Sequence, residues 1–181
     1  MKAPRPIAIV SLGAATPEDI SMRAYGKLQK ADEIYCLGEA AHCIVAALPE
    51  GSALAQRCQI LEIPMSSDRT EASRYYDQLA TRLIEQQGRG LACSVVTIGD
   101  AGTYATVQYL ADLLRRAGVE MEVVPGIPYY IAAAAAFGEG LVRQDESLLV
   151  LSKVASESQL REVLVQGHTV VVMKLSRCAD I

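Results

Sequence analysis

The sequence predicts an α/β protein: a parallel, doubly wound sheet in the N-terminal part, followed by a second, smaller α/β unit. Three observations lead there. Runs of strand length, such as Ile7 to Leu12 and Leu91 to Ile98, alternate with segments whose apolar residues recur at helical spacing. Parallel neighbours need a crossover connection, and an intervening helix supplies it. Apolar residues make up 51% of the 181 residues and charged residues 21%, enough for a sizeable core and too interrupted for a membrane protein or a disordered chain.

Ile7 to Leu12 is read as a buried first strand, closed by Gly13. Thr16, Pro17, Glu18 and Asp19 then predict a helix start: an N-cap, a proline at the first helical position and acidic residues on the positive end of the helix dipole. That helix is expected to run through Arg23 and Leu28 to about Ala31. Glu33 to Leu37 is the second strand, Ala40 to Leu48 a helix closed by Pro49, Glu50 and Gly51, and Ile60 to Ile63 a short strand before Pro64. From Arg69 to Gln87 the positions Ala72, Tyr75, Tyr76, Leu79, Leu83 and Ile84 form an apolar helical face, and Gly88 ends the segment.

Leu91 to Ile98 is a continuous apolar strand running into Gly99-Asp100-Ala101-Gly102. Thr103 to Ala117 is expected to be helical, with Val107, Leu110, Leu113 and Leu114 on one side. Met121 to Val124 reads as a strand and an alanine-rich helix reaches Phe137; strands at Leu148 to Leu151 and Thr169 to Met173 flank a helix from Glu157 to Gln166. These features divide the chain into residues 1–117 and 118–181, the second unit being small enough to be read as incomplete.

The longest apolar stretch, Ile127 to Phe137, is well short of the ~20 residues needed to span a bilayer. Ile7 to Val10 is too short for the core of a signal peptide, so the expected location is the cytoplasm. Cys36, Cys43, Cys58, Cys93 and Cys178 contain no CxxC pair and are expected to be buried, reduced thiols. His42 and His168 have no evident partner at ligand spacing, so no metal site is expected. A net charge of -4 offers no general attraction for nucleic acid.

Two stretches carry chemistry. In an open parallel sheet, ligands bind beyond the carboxyl ends of the strands, where glycine lets them approach the backbone, and Gly99-Asp100 lies at such an end. The same residues also suit a tight strand-to-helix turn with Asp100 or Thr103 as N-cap. Val123-Val124-Pro125-Gly126-Ile127, leading to Ala132 to Ala136, permits close approach of either a ligand or a neighbouring element. No P-loop, GxGxxG or Ser/His/Asp arrangement can be assembled.

The Gly-Asp loop, the V-V-P-G-I turn about two dozen residues later and the apolar strand ending in Met173-Lys174 together resemble the tetrapyrrole (corrin and porphyrin) methyltransferases in order and spacing. Thr103-Tyr104-Ala105-Thr106-Val107-Gln108-Tyr109-Leu110 is similar to the L-Y-S-T-x-x-Y-L run of precorrin-2 and cobalt-factor II C20-methyltransferases. Asp145 to Leu151 and Val172 to Leu175 resemble later segments of that subgroup. The first loop departs: the family's G-x-G-P-G-D-P pattern has Ala14, Ala15 and Thr16 in place of a proline, a glycine and an aspartate. Pro128-Tyr129 stands where the family has a serine or threonine next to a small residue.

The resemblance implies a tetrapyrrole-methylase-like fold with an N-terminal tetrapyrrole side and a C-terminal S-adenosylmethionine side. It implies S-adenosylmethionine as cofactor, held by Ile98, Gly99, Asp100, Thr103, Pro128, Tyr129 and Met173, and a homodimer acting on precorrin-2 or cobalt-factor II at C20. Asp100 is the candidate to orient the cofactor or assist proton removal, and Tyr104 the candidate on the substrate side. Methyl transfer from a sulfonium to a nucleophilic carbon depends chiefly on alignment, because the leaving group is neutral. Two other activities stay open: ribosomal-RNA 2'-O-methylation, since Asp100-Ala101-Gly102-Thr103 is similar to that branch's D-A-G-T, and ligand binding without turnover.

Overall fold

A computed structural model describes residues 5–63, 69–154 and 156–175. The chain divides into two compact units, Met1–Pro128 and Tyr129–Ile181.

In the first unit, β1 (Ile7–Ser11), β2 (Glu33–Leu37), β3 (Cys58–Leu61), β4 (Cys93–Thr97) and β5 (Met121–Val124) form one parallel sheet in the order β3-β2-β4-β1-β5. Every residue of β1 is buried, as a central strand covered on both faces requires. Successive side chains point to opposite faces and build two cores. Ala8, Val10, Ile34, Cys36 and Val96 pack with Leu28 of α1 (Met22–Lys30), Val45 of α2 (Glu39–Ala47) and Leu54 of α3 (Gly51–Ala55). Ile7, Ile9, Tyr35 and Val95 pack with Leu83 of α4 (Arg69–Gly88) and Leu114 of α5 (Val107–Arg116). Leu83 and Leu114 are fully excluded from water, which for each is worth about 1.5–3 kcal/mol of transfer free energy. Helices on both faces of a parallel sheet make the fold doubly wound, as expected.

Several elements depart from the sequence expectation. No helix starts at Thr16: Pro17–Asp19 is a 3₁₀ turn, Thr16 makes no side-chain cap, and α1 begins after Ser21, whose hydroxyl accepts from Ala24 N–H at 3.1 Å. The turn folds back on Gly13, where a Cβ would lie 2.5 Å from the Asp19 carbonyl oxygen, so the chain must re-enter the helix later. Gly51 opens the short α3 instead of only closing α2. In α4, Tyr76, Leu79 and Leu83 face the core, but Tyr75 and Ile84 are exposed at the margin of that face. α5 starts at Val107, and the expected helical residues from Thr103 onward are a turn and loop.

The thiols divide as well. Cys36 and Cys93 are buried, and burial pushes the Cys93 thiol up to about 11, so it stays protonated at neutral pH. Cys43, however, is exposed, Cys58 is half-buried, and Cys178 lies outside the described residues.

The expected division after residue 117 separates β5 from the sheet it completes. β5 pairs with β1 from Ile7↔Met121 to Val10↔Val124, and Glu122 accepts from Arg23 at 2.6 Å and from Lys27. Those contacts carry the first unit to Pro128.

The second unit contains α6 (Tyr129–Ala136), β6 (Ser147–Leu151), α7 (Glu157–Val165) and β7 (His168–Val172). β6 and β7 pair in parallel from Ser147↔His168 to Leu151↔Val172, with α7 as the crossover. Ser156 caps α7 by accepting from Gln159 N–H at 3.2 Å. No residue in these four elements is fully buried.

Candidate functional site

Sheet order brings the carboxyl ends of β4, β1 and β5 side by side, and the loops leaving them are joined through backbone. Leu12 N–H donates to the Thr97 carbonyl at 2.9 Å. Gly13 and Gly99 exchange backbone hydrogen bonds at 3.2 and 2.7 Å, both with positive φ, +77° and +79°. Glycine adopts that conformation without strain. Gly126, in the turn after β5, sits so close that a Cβ would be 2.6 Å from Ser11 Cβ and 2.7 Å from the Gly99 carbonyl oxygen. Of the two readings of the V-V-P-G-I turn, close approach of a neighbouring element is therefore the one realised at Gly126.

Asp100 fastens this arrangement. Its Oδ1 accepts from Gly126 N–H at 3.0 Å, linking the β4 loop to the β5 turn. Its Oδ2 accepts from Gly102 N–H at 3.0 Å and from the Thr103 hydroxyl at 2.9 Å, holding its own loop. Hydrogen bonds to an ionised carboxylate are stronger than neutral ones, and this carboxylate receives three. Neither Asp100 nor Thr103 caps a helix, since the residue before α5 is Thr106.

Ile98 is half-buried against the first core and Gly99 is buried. Tyr104 follows with φ +52° and is 45% exposed, a left-handed backbone that is uncommon outside glycine. Pro128 ends the first unit. Tyr129 and Met173 belong to the second, where they line one cavity of about 570 Å³ with Tyr130, Ala133, Phe137 and Val172. The predicted residues thus assemble as two groups, Ile98 to Tyr104 around the joined loops and Tyr129 with Met173 around the cavity.

The sequence reading missed Ser11. Its buried hydroxyl accepts from Ala101 N–H at 2.9 Å, tying β1 directly to the Gly-Asp loop. The available signal was a hydroxyl residue inside an otherwise apolar strand, which needs a partner once buried. In the first loop Ala15, aligned with a glycine of the family's pattern, holds φ +78°, a left-handed backbone that favours glycine. His42 does have neighbours with ligand atoms, Glu39 and Cys43 on the same helix.

Comparison with known proteins matches residues 6–181 to the Tetrapyrrole (Corrin/Porphyrin) Methylases. The chain is 27% identical over 171 residues to the probable cobalt-precorrin-2 C(20)-methyltransferase of Methanocaldococcus jannaschii, covering 91% of this chain and 70% of the relative. It is 28% identical over 173 residues to the cobalt-precorrin-2 C(20)-methyltransferase of Salmonella typhimurium, covering 92% and 71%. Among solved structures, the uroporphyrin-III-C-methyltransferase of Thermus thermophilus superposes with a TM-score of 0.61 at 23% identity, covering 81% of this chain and 59% of that one. A cobalt precorrin-4 methyltransferase of cobalamin biosynthesis superposes with a TM-score of 0.62 at 20% identity, covering 87% and 63%. The chain therefore spans about three fifths of the length of these structures, and the likeness to them is one of fold.

Proposed function

The chain belongs to the tetrapyrrole (corrin/porphyrin) methylases, and from that membership we propose that it is an S-adenosylmethionine-dependent C-methyltransferase of cobalamin biosynthesis. Its substrate in this reading is precorrin-2 or cobalt-factor II, methylated at C20. The observation that carries the reading is that two C20-methyltransferases align along 91% and 92% of the chain.

The residues present fit the cofactor. The second-unit cavity, at about 570 Å³, falls within the ~300–1,000 Å³ usual for small-molecule sites, and its aromatic and apolar lining suits a flat base. S-adenosylmethionine, when bound, supplies an electrophilic methyl group on a sulfonium and leaves as a neutral thioether. Ile98, Gly99, Asp100, Thr103, Pro128, Tyr129 and Met173 are proposed to hold it. Pro128 has no amide to donate, so the tyrosine hydroxyl of Tyr129 takes over the polar contact made by the family's small hydroxyl residue. Asp100 acts in this reading by fixing the loop conformation, because three internal donors already engage its carboxylate. Tyr104 faces the tetrapyrrole. With no strong acid or base required, alignment of the two bound molecules supplies most of the rate.

The protein is further proposed to work in the cytoplasm as a homodimer. Among the described residues no helix is long and apolar enough to cross a membrane.

Calorimetric titration with S-adenosylhomocysteine tests the cofactor reading, and methyl transfer to precorrin-2 and cobalt-factor II tests the reaction. Ligand at one hundred times its dissociation constant should stabilise the chain by about 2.7 kcal/mol in a thermal melt. Absence of binding at millimolar ligand removes the cofactor assignment. Binding without methyl transfer to either tetrapyrrole reassigns the chain as a ligand-binding member, and transfer to 30S particles reassigns the substrate.

A further inference from the structure

The first turn of α2 gathers three different donor atoms on one face. Glu39, His42 and Cys43 stand at i, i+3 and i+4, the spacings that bring helical side chains together. Glu39 Oε1 lies 3.6 Å from His42 Nδ1 and 3.9 Å from Cys43 Sγ, and the three ligand atoms all fall within 4.8 Å of one another. Metal–ligand bonds of ~2.1 Å to oxygen, ~2.05 Å to nitrogen and ~2.3 Å to sulfur, set at the tetrahedral angle, separate oxygen from nitrogen by about 3.4 Å and oxygen from sulfur by about 3.6 Å. The two separations that involve Glu39 exceed their tetrahedral values by a few tenths of an ångström, and the His42 to Cys43 separation is within 4.8 Å, so side-chain rotation has to bring the three donors onto one ion.

We propose that Glu39, His42 and Cys43 bind a divalent transition-metal ion of borderline softness, Zn²⁺ or Co²⁺. The donor set selects that class. A thiolate disfavours the hard ions Ca²⁺ and Mg²⁺, which take oxygen ligands, whereas imidazole, thiolate and carboxylate together suit tetrahedral Zn²⁺ and its spectroscopic substitute Co²⁺. Glu39 and Cys43 are exposed, which gives the ion a path in from solvent, and His42 is partly buried, which restricts its ring. Three protein ligands leave the fourth position to water or to an external donor molecule. The helix follows Gly38, whose φ of +90° turns the chain out of β2, so the site stands at the carboxyl end of that strand, the edge of the sheet that carries the joined glycine loops.

Co²⁺ titration of the full chain under argon tests the proposal without reference to methyl transfer. A one-to-one complex is expected, with a near-ultraviolet thiolate-to-cobalt charge-transfer band, visible bands of a four-coordinate ion, and displacement of both by Zn²⁺. Cys43→Ser should abolish the charge-transfer band. His42→Ala and Glu39→Gln should each weaken binding by at least about tenfold, since loss of even an outer partner of a metal ligand costs that much. Cys58→Ser should leave the spectrum unchanged. The helical circular dichroism of each variant should match the parent, because Glu39 and Cys43 are exposed and His42 only partly buried. No charge-transfer band at millimolar Co²⁺, a band that survives Cys43→Ser, a band lost in Cys58→Ser, or undiminished binding in either His42→Ala or Glu39→Gln overturns the three-ligand site.

Discussion

Asp100 is an acceptor-only side chain that meets three donors, and that geometry changes what its replacement by asparagine should do. If it were a simple helix cap, asparagine would substitute almost silently, because the two residues cap about equally well. Here Oδ1 serves Gly126 N–H while Oδ2 serves Gly102 N–H and the Thr103 hydroxyl. Asparagine has one oxygen and one NH₂, so whichever way it turns, one backbone N–H faces another donor. Asp100→Asn is expected to lower the unfolding free energy by about 1–3 kcal/mol, the cost of leaving such a group unpaired. Urea denaturation measures this, and S-adenosylhomocysteine affinity should fall with it as the loops loosen. An unchanged denaturation midpoint would mean that the links from Asp100 to the β5 turn contribute nothing to stability.

Among the elements, the loop from β1 to α1 carries the sharpest local conflict. Ala15 is held at φ +78°, where an L-residue pays about 1–2 kcal/mol that glycine does not. Glycine in turn leaves the unfolded chain freer, which returns about 0.4–1 kcal/mol. Ala15→Gly is therefore expected to raise stability by up to about 1.6 kcal/mol, read as a higher denaturant midpoint with unchanged slope. A lower midpoint would show that the strain at Ala15 is relieved in solution. The same loop explains why the expected helix start failed. Thr16 and Pro17 are good helix-entry residues, but the packing of Asp19 onto Gly13 claims the backbone first, and Ser21 becomes the cap. Local propensity is a weak prior once a tertiary contact competes for the same residues.

At the scale of the whole molecule, the first unit has a two-faced core, and among the described residues the second has none of that depth. Val154 is buried, yet α6, β6, α7 and β7 leave every residue at least partly accessible, including Phe137 just beyond α6 at 83% exposure and Val165 at 88%. Apolar surface of this kind favours association, and the proposed homodimer would cover part of it. Light scattering on the purified chain should give twice the monomer mass of 19.4 kDa. A monomer mass over a wide concentration range would dispose of the dimer.

The sequence by itself determined the fold class, most of the succession of strands and helices, and the place of the Gly-Asp loop at the end of β4. Those features depend on local period and on glycine, and both can be read along the chain: Ile7 to Leu12 could only be buried, and Gly99-Asp100 could only end a strand. Tertiary structure alone decided that β5 joins β1, and with it the boundary at Pro128, because strand pairing is a contact between residues more than a hundred positions apart. It also decided that Gly126 and Ser11 belong with Asp100, since their partners lie on neighbouring strands and not in neighbouring sequence. Periodicity records which face a residue presents, but a hydrogen bond across a sheet edge is specified only when the order of the strands is fixed.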